Sequence, residues 1–285
     1  MKDSKKNKIL LTGGRGFLGS QVLKKLINLN YNVDEADIIS REGVINLLGE
    51  FNLNNYDCIL HLGSSSKVSN SPNDLYNKNI LIAEKIFTKA KLNKNIVVIY
   101  ASANSIVNNR SKKNISIETQ PSPKDFYSCS KFIAETLLIE NIGQNRSIIV
   151  RLPAIYGNES NKEGFLDRIF NNAINNEEIN ISNENSKFNN ASLIETCANF
   201  FVYLIDNLRE VKGMNFLLGT NDKMSIYEIV NMIKKISNSN SRIVINESCD
   251  KDNNDYLVDV SNIQAINFEL DSMNKIITKL GNFYK

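Results

Sequence analysis

Apolar residues in this chain gather in short runs, and between the runs they recur every three or four positions. Ile9-Leu10-Leu11, Asp57-Cys58-Ile59-Leu60-His61-Leu62, Ile96 to Ala101 and Ser147 to Leu152 are short and almost wholly apolar. Such runs read as strands buried on both faces. Ser20 to Leu29, Asp74 to Ala90 and Phe126 to Asn141 instead carry their apolar residues at helical spacing. Strand and helix alternate in this way up to Pro153, which predicts an α/β fold built on a doubly wound parallel sheet. One place breaks the pattern. Tyr31 to Ile39 should hold the second strand, yet its centre, Asp34-Glu35-Ala36-Asp37, is too polar for a buried parallel strand, so the second or the usual third strand reads as missing or vestigial. Asp37 to Phe51 then reads as a helix.

From Tyr156 onward the pattern loosens. Gly164 to Asn175, Glu195 to Leu208 and Ser225 to Ile236 read as helices; Ile179 to Ile181, Phe216 to Leu218 and Arg242 to Ile245 read as short strands. This predicts a smaller C-terminal α/β lobe over 158–285, with chain crossing back to the sheet, after a main domain over 1–157.

Composition narrows the classes. With 42% hydrophobic and 23% charged residues, the 285-residue chain can bury a full core. Its net charge is +3 with lysines spread throughout, so no basic stripe predicts a nucleic-acid partner. No stretch reads as a membrane segment, and polar Met1 to Lys8 lacks the apolar core of a signal peptide, which predicts a cytoplasmic protein. Cysteines at 58, 129, 197 and 249 lie far apart and there is a single histidine. A histidine-based metal site and a Ser-His-Asp triad are therefore excluded, and no metal is expected.

Candidate chemistry begins at Thr12-Gly13-Gly14-Arg15-Gly16-Phe17-Leu18-Gly19, where an apolar strand turns through glycines into an amphipathic helix. Gly13, Gly16 and Gly19 are expected to take positive φ, admit a pyrophosphate and pack the helix on the strand. The helix-start N–H groups, at Phe17 and Leu18, then hold phosphates. Asp37, at the spacing where a dinucleotide-binding fold keeps an acid, is the candidate for a ribose hydroxyl. The loops after the strands, Ser64 to Pro72 and Ser102-Ala103-Asn104-Ser105, leave at the edge where open α/β sheets bind ligands. Tyr127 and Lys131 are one helical turn apart on one face. A lysine ammonium beside a phenol favours the phenolate and lowers its pKa from about 10, so that it can exchange protons with an alcohol or ketone.

These motifs together resemble the extended short-chain dehydrogenase/reductases, the branch of nucleotide-sugar epimerases, dehydratases and reductases, over nearly the whole chain. The glycine turn fits TGxxGxxG, His61-Leu62-Gly63 is similar to the branch's HLA, and Asn79 stands where it keeps an asparagine. Tyr127-Ser128-Cys129-Ser130-Lys131, with Glu135 beyond, fits YxxxK; Arg151 to Gly157 fits RxxxxYG; Leu257 to Ser261 is similar to its closing segment. The resemblance implies a Rossmann domain, Tyr127 as acid/base, and Lys131 as both its pKa modulator and a ligand of the nicotinamide ribose. It implies Asp37, Gly63, Asn79 and Pro153 along the dinucleotide, and a sugar nucleotide as substrate. Ser64, Ser65, Ala103, Ala154, Asn158, Phe165 and Asn189 are its candidate contacts, and His61 reads as a core residue. A homodimer through the Tyr127 helix is implied as well.

Two departures stand out. The family's third catalytic residue, a serine or threonine, aligns with Ala103, whose methyl cannot polarise a carbonyl. Ser102 and Ser105 are the substitutes, Ser105 ahead because strand alternation puts it on the face of Ala103. The stretch around Asp37 is shortened, and Arg15 favours NADP where Asp37 favours NAD, so NAD and NADP both stay open. The expectation is an NAD(P)-dependent oxidoreductase reducing a nucleotide-linked 4-keto sugar; the alternatives are a 4-epimerase or dehydratase, or a catalytically weak dinucleotide-binding regulatory relative.

Overall fold

The computed structural model describes residues 6–36, 51–65, 71–107, 114–158, 163–181, 184–245 and 257–284. The expected helix over Asp37 to Phe51, Asp37 itself and residues 66–69 of the first loop lie outside or largely outside these. The chain divides into two compact units, one of residues 1–106, 121–151 and 197–216, the other of 107–120, 152–196 and 217–285.

The first unit is organised on six strands: β1 (Lys8–Thr12), β2 (Asn32–Ala36), β3 (Cys58–His61), β4 (Val97–Ala103), β5 (Ser147–Leu152) and β6 (Asn215–Leu217), in the order β6-β5-β4-β3-β1-β2. The sheet is parallel, with helices on its faces, as the alternation of runs and helical spacing predicts. Register pairs Thr12 with His61 and His61 with Tyr100. Helix α1 (Phe17–Asn28) follows β1, α2 (Ile82–Ala90) follows β3, α3 (Phe126–Ile142) precedes β5, and α4 (Ile194–Asp206) precedes β6. Leu10, Ile59, Val98 and Ile149 of the strands meet Ile86 and Phe87 of α2 and Ala134, Leu138 and Ile142 of α3 in one core.

The second strand is present and is not vestigial. It is polar because it forms the sheet edge, paired only with β1, where half-exposed side chains are tolerated. Asp34 is satisfied there by the Lys8 ammonium at 3.1 Å and the Tyr56 hydroxyl at 2.5 Å.

The second unit is built from short two-stranded ladders: Ala154–Tyr156 with Ala191–Leu193, Ile179–Ile181 with Ile243–Ile245, Lys187–Phe188 with Met224–Ser225, and Asn114–Ile115 with Leu257–Val258. Helices Phe165–Ile174, Ile226–Ile236 and Met273–Phe283 bury Phe170, Ile229, Ile233, Ile276 and Leu280 in a separate core. Tyr284 closes it, its ring stacked on Phe170 at 4.9 Å and its hydroxyl donating to buried Asp167 at 2.8 Å. The second unit includes 107–120, its next stretch starts at Leu152, six residues before the expected lobe start at 158, and 197–216 returns to the first unit.

Candidate functional site

At the carboxyl end of β1 the chain turns on Gly13, whose φ of +78° suits glycine. A Cβ there would lie 2.5 Å from the Gly63 nitrogen, so the turn is also pressed against the segment leaving β3. Gly19 needs to be small for a different reason: a Cβ would meet the Gly13 carbonyl oxygen at 1.8 Å, and α1 could not seat on the turn. Gly16 departs from expectation. Its φ is −74°, ordinary extended backbone, so positive φ is confined to Gly13 among the three. A Cβ on Gly16 would meet only the Gly13 oxygen, at 3.3 Å, so the region beyond it is open. No side chain caps α1 and its first turn holds no acid, which leaves the N–H groups of Phe17 and Leu18 outward at a positive dipole end, with Arg15 exposed beside them. This cradle fits the pyrophosphate of a dinucleotide.

Glu35 was not singled out by the sequence. It pairs with Leu11 near the end of β2, and its carboxylate would stand 2.5 Å from a Cβ at Gly14, so an exposed acid flanks the glycine turn. The signal was the acidic cluster read as a defect of the strand.

After β3, the segment Leu62 to Ser65 is fastened from above. Asn79 is 1% exposed, accepts from the Ser65 N–H at 2.7 Å, and donates to the Ser65 carbonyl at 3.3 Å and the Ser130 hydroxyl at 3.0 Å. Its carboxamide is thus engaged by protein groups, tying the loop to α3. Asn79 lies in a π-helical turn, Tyr76–Leu81, between a short helix Pro72–Leu75 and α2, a distortion that recurs at functional sites.

Helix α3 begins at an Asp125 cap that accepts from the Ser128 N–H at 2.8 Å. Its buried face is polar at the first turns, with Ser128, Ser130, Lys131 and Glu135, and apolar further on. Lys131 is 2% exposed, and its ammonium donates to Ser64 Oγ and to the Ala101 carbonyl, both at 2.8 Å, with the Tyr100 ring 5.0 Å away. Burial pushes Lys131 down to about 7, opposed by the charge of Glu135. Tyr127, half-buried on the same face, moves opposite to expectation. Burial, aided by the charge of Asp125, pushes its phenol up to about 12. The protein by itself therefore holds Tyr127 as a neutral phenol, a proton donor, and Lys131 commits two of its three N–H donors to Ser64 and Ala101.

The strand β4 runs through Ala103, where the sequence reading had begun a loop at Ser102. Alternation along that strand turns Ser102 to the face opposite Ala103; it is 2% exposed and its hydroxyl has no hydrogen-bond partner among the described residues. Ser102 thus lies on the face of β4 away from Ala103. Ser105 lies in the 3-10 turn that follows, Asn104–Ile106, is partly exposed, and accepts a hydrogen bond from Ser128 Oγ at 3.0 Å.

Beneath these groups lies a buried polar layer. His61 is a core residue, as expected: Nδ1 bonds Thr12 Oγ1 at 2.6 Å, its ring stacks on Tyr100, and burial pushes it down to about 3. Glu135 and Arg151 form a two-pronged pair, with Nε to Oε1 at 3.1 Å and Nη2 to Oε2 at 2.9 Å, each under a tenth exposed. Removing one partner of such a pair costs about 3–5 kcal/mol.

Five of the expected residues belong to the second unit. Pro153 is buried and Ala154 opens the strand paired with Ala191. Asn158 is exposed, and Phe165 starts its helix with its ring 5.1 Å from Phe188. Asn189 is a structural clamp, donating to the Val258 carbonyl and accepting from its N–H, both at 2.8 Å, so its carboxamide is spent within the unit.

A polar cleft of about 580 Å³, lined by Asn7, Tyr56, Asp57, Asn93 and Arg209 among others, lies at the amino ends of β1, β3 and β4. That is the end of the sheet away from the glycine turn, whereas parallel sheets bind ligands at the carboxyl ends. Among the described residues no helix is long and apolar enough to cross a membrane, and no group of three or more His, Cys, Asp or Glu could hold a metal ion.

Residues 9–219 match the model of the NAD dependent epimerase/dehydratase family. Over 184 residues the chain is 24% identical to a decarboxylating sterol-4-alpha-carboxylate 3-dehydrogenase of Dictyostelium discoideum, covering 55% of this chain and 56% of that protein. The chain spans little more than half the length of the curated relatives it matches. Among solved structures, UDP-glucuronic acid 4-epimerase from Bacillus cereus, in complex with NAD, gives a TM-score of 0.76 at 18% identity over 97% of this chain and 98% of that one. A dTDP-4-dehydrorhamnose reductase from Clostridium acetobutylicum gives 0.75 at 17% identity over 97% and 98%. At these identities the likeness is one of fold.

Proposed function

This chain belongs to the NAD dependent epimerase/dehydratase family, and from that premise we propose that it is an NAD(P)-dependent oxidoreductase that reduces the 4-keto group of a nucleotide-linked sugar. The observation that carries the reading is Tyr127, held as a neutral phenol one turn from buried Lys131, at the end of the sheet that carries the glycine turn. A phenol that keeps its proton is in the state needed to protonate a carbonyl oxygen as the carbon is reduced.

In this reading Gly13, Arg15, Gly16, Phe17, Leu18 and Gly19 hold the pyrophosphate, and Glu35 faces the adenosine ribose. Lys131 and Tyr127 meet the nicotinamide ribose, with Gly63 and Asn79 along the cofactor. When bound, the cofactor supplies the hydride. Tyr127 supplies the proton. Ser64, Ser65 and the Ala103 to Ser105 segment face the sugar. The protein works in the cytoplasm.

Exposed Phe126 and Ile133 on α3 support a homodimer through this helix. Ile133→Lys should then lower the mass seen by light scattering to that of one chain; an unchanged mass from an already monomeric parent removes the dimer.

The test of function is incubation with a panel of nucleotide 4-keto sugars and NADPH or NADH, followed at the cofactor's near-ultraviolet absorbance. Stoichiometric consumption with one sugar is expected. A 4-epimerase would instead come from cells with tightly held cofactor and convert sugars without net consumption, and that result would replace the reductase reading.

A further inference from the structure

The residue that should polarise the substrate carbonyl is missing from the end of β4, where Ala103 presents a methyl group. Ser102 faces the other way. Ser105 remains, in the 3-10 turn two residues on, and a hydroxyl in such a turn needs something to hold its rotor.

Ser128 does so. It is 1% exposed, its N–H is fixed by the Asp125 cap at 2.8 Å, and its Oγ donates to Ser105 Oγ at 3.0 Å. A hydroxyl has one proton and two lone pairs. Ser128 spends its proton in that bond, so Ser105 accepts there and keeps its own proton for another acceptor; among the described residues no hydrogen bond uses it. Donation into an oxygen also strengthens that group's own donation onward. Ser128 directly follows Tyr127 on α3, so one helical turn carries both the phenol and the group that orients the hydroxyl.

We propose that Ser128 is a positioning residue for Ser105, and that the pair replaces the hydroxyl absent at Ala103. Ser105 then donates a hydrogen bond to the oxygen of the sugar's keto group. This rests on the reductase reading above. In the step, a hydride from the reduced nicotinamide forms the new C–H bond, the C=O π pair moves to oxygen, and the Tyr127 proton completes the hydroxyl. The Ser105 proton stabilises the oxygen and is not transferred.

The test is a double-mutant cycle on the keto sugar that turns over in the panel. Ser105→Ala should lower kcat by about 10²–10³-fold, the loss expected for one oxyanion donor, with KM little changed. Ser128→Ala should lower kcat by a smaller factor and should have no further effect in the Ser105→Ala background, because its action runs through Ser105. Ser128→Thr, which keeps the donor, should restore most of kcat, and dinucleotide affinity should be the same in all of them. An equal effect of Ser128→Ala with and without Ser105, or none with Ser105 present, overturns the proposal. Failure of the reading beneath it looks different: no panel sugar is reduced, or Tyr127→Phe keeps full turnover.

Discussion

Burial moves Tyr127 and Lys131 in opposite directions, and both movements have measurable consequences. Tyr127→Phe removes only the proton-bearing oxygen, so it should leave dinucleotide affinity intact and lower kcat about 10²–10⁴-fold, read by steady-state kinetics. Lys131 titrates near 7 in the folded chain against 10.5 in its ordinary state. Below pH 7 both folded and unfolded chains carry the charge, and the cost of burying it is fully present. As pH rises toward 10.5 the folded chain has lost the proton while the unfolded chain still binds it, so stability increases with pH. Lys131→Met should therefore raise Tm most at pH 6, with the difference shrinking toward pH 10, as followed by circular dichroism. A constant difference would mean that the lysine is charged at no such cost.

At the scale of elements, α3 is graded along its buried face, polar where it meets Ser64, Asn79 and Arg151 and apolar where it meets the core. The Tyr-x-x-x-Lys spacing was legible in the sequence because both residues sit on one helix. The Asn79 bridge and the Ser128 to Ser105 contact were not, since each joins elements far apart in the chain. The edge strand β2 repeats the lesson: its polarity was visible, but only its place at the sheet margin explains it. That margin sets Glu35 beside the glycine turn, where the proposed reading has it meet the adenosine ribose and repel a 2′-phosphate. Glu35→Ser should shift the ratio of dissociation constants toward NADP, measured by titration calorimetry with both dinucleotides; an unchanged ratio removes Glu35 from the ribose site.

For the whole molecule, the path of the chain matters more than any single boundary. Residues 197–216 supply α4 and β6 to the first unit after the chain has built much of the second. A fragment of residues 1–157 lacks both elements and leaves β5 as an unpaired edge. It should show neither a cooperative thermal transition nor dinucleotide binding, whereas a fragment that melts cooperatively would show that the six-stranded sheet is not the folding unit.

The sequence by itself determined the α/β class, the glycine turn and the Tyr127 helix, because each is written in local spacing: apolar runs for buried strands, a 3.6-residue period for helices, glycine where a Cβ would collide. The tertiary structure decided which hydroxyl Ser128 bonds, why β2 is polar, that Asn189 is a clamp, and that Tyr127 keeps its proton. Those depend on burial and on partners from distant parts of the chain, and neither quantity has a value until the chain has folded.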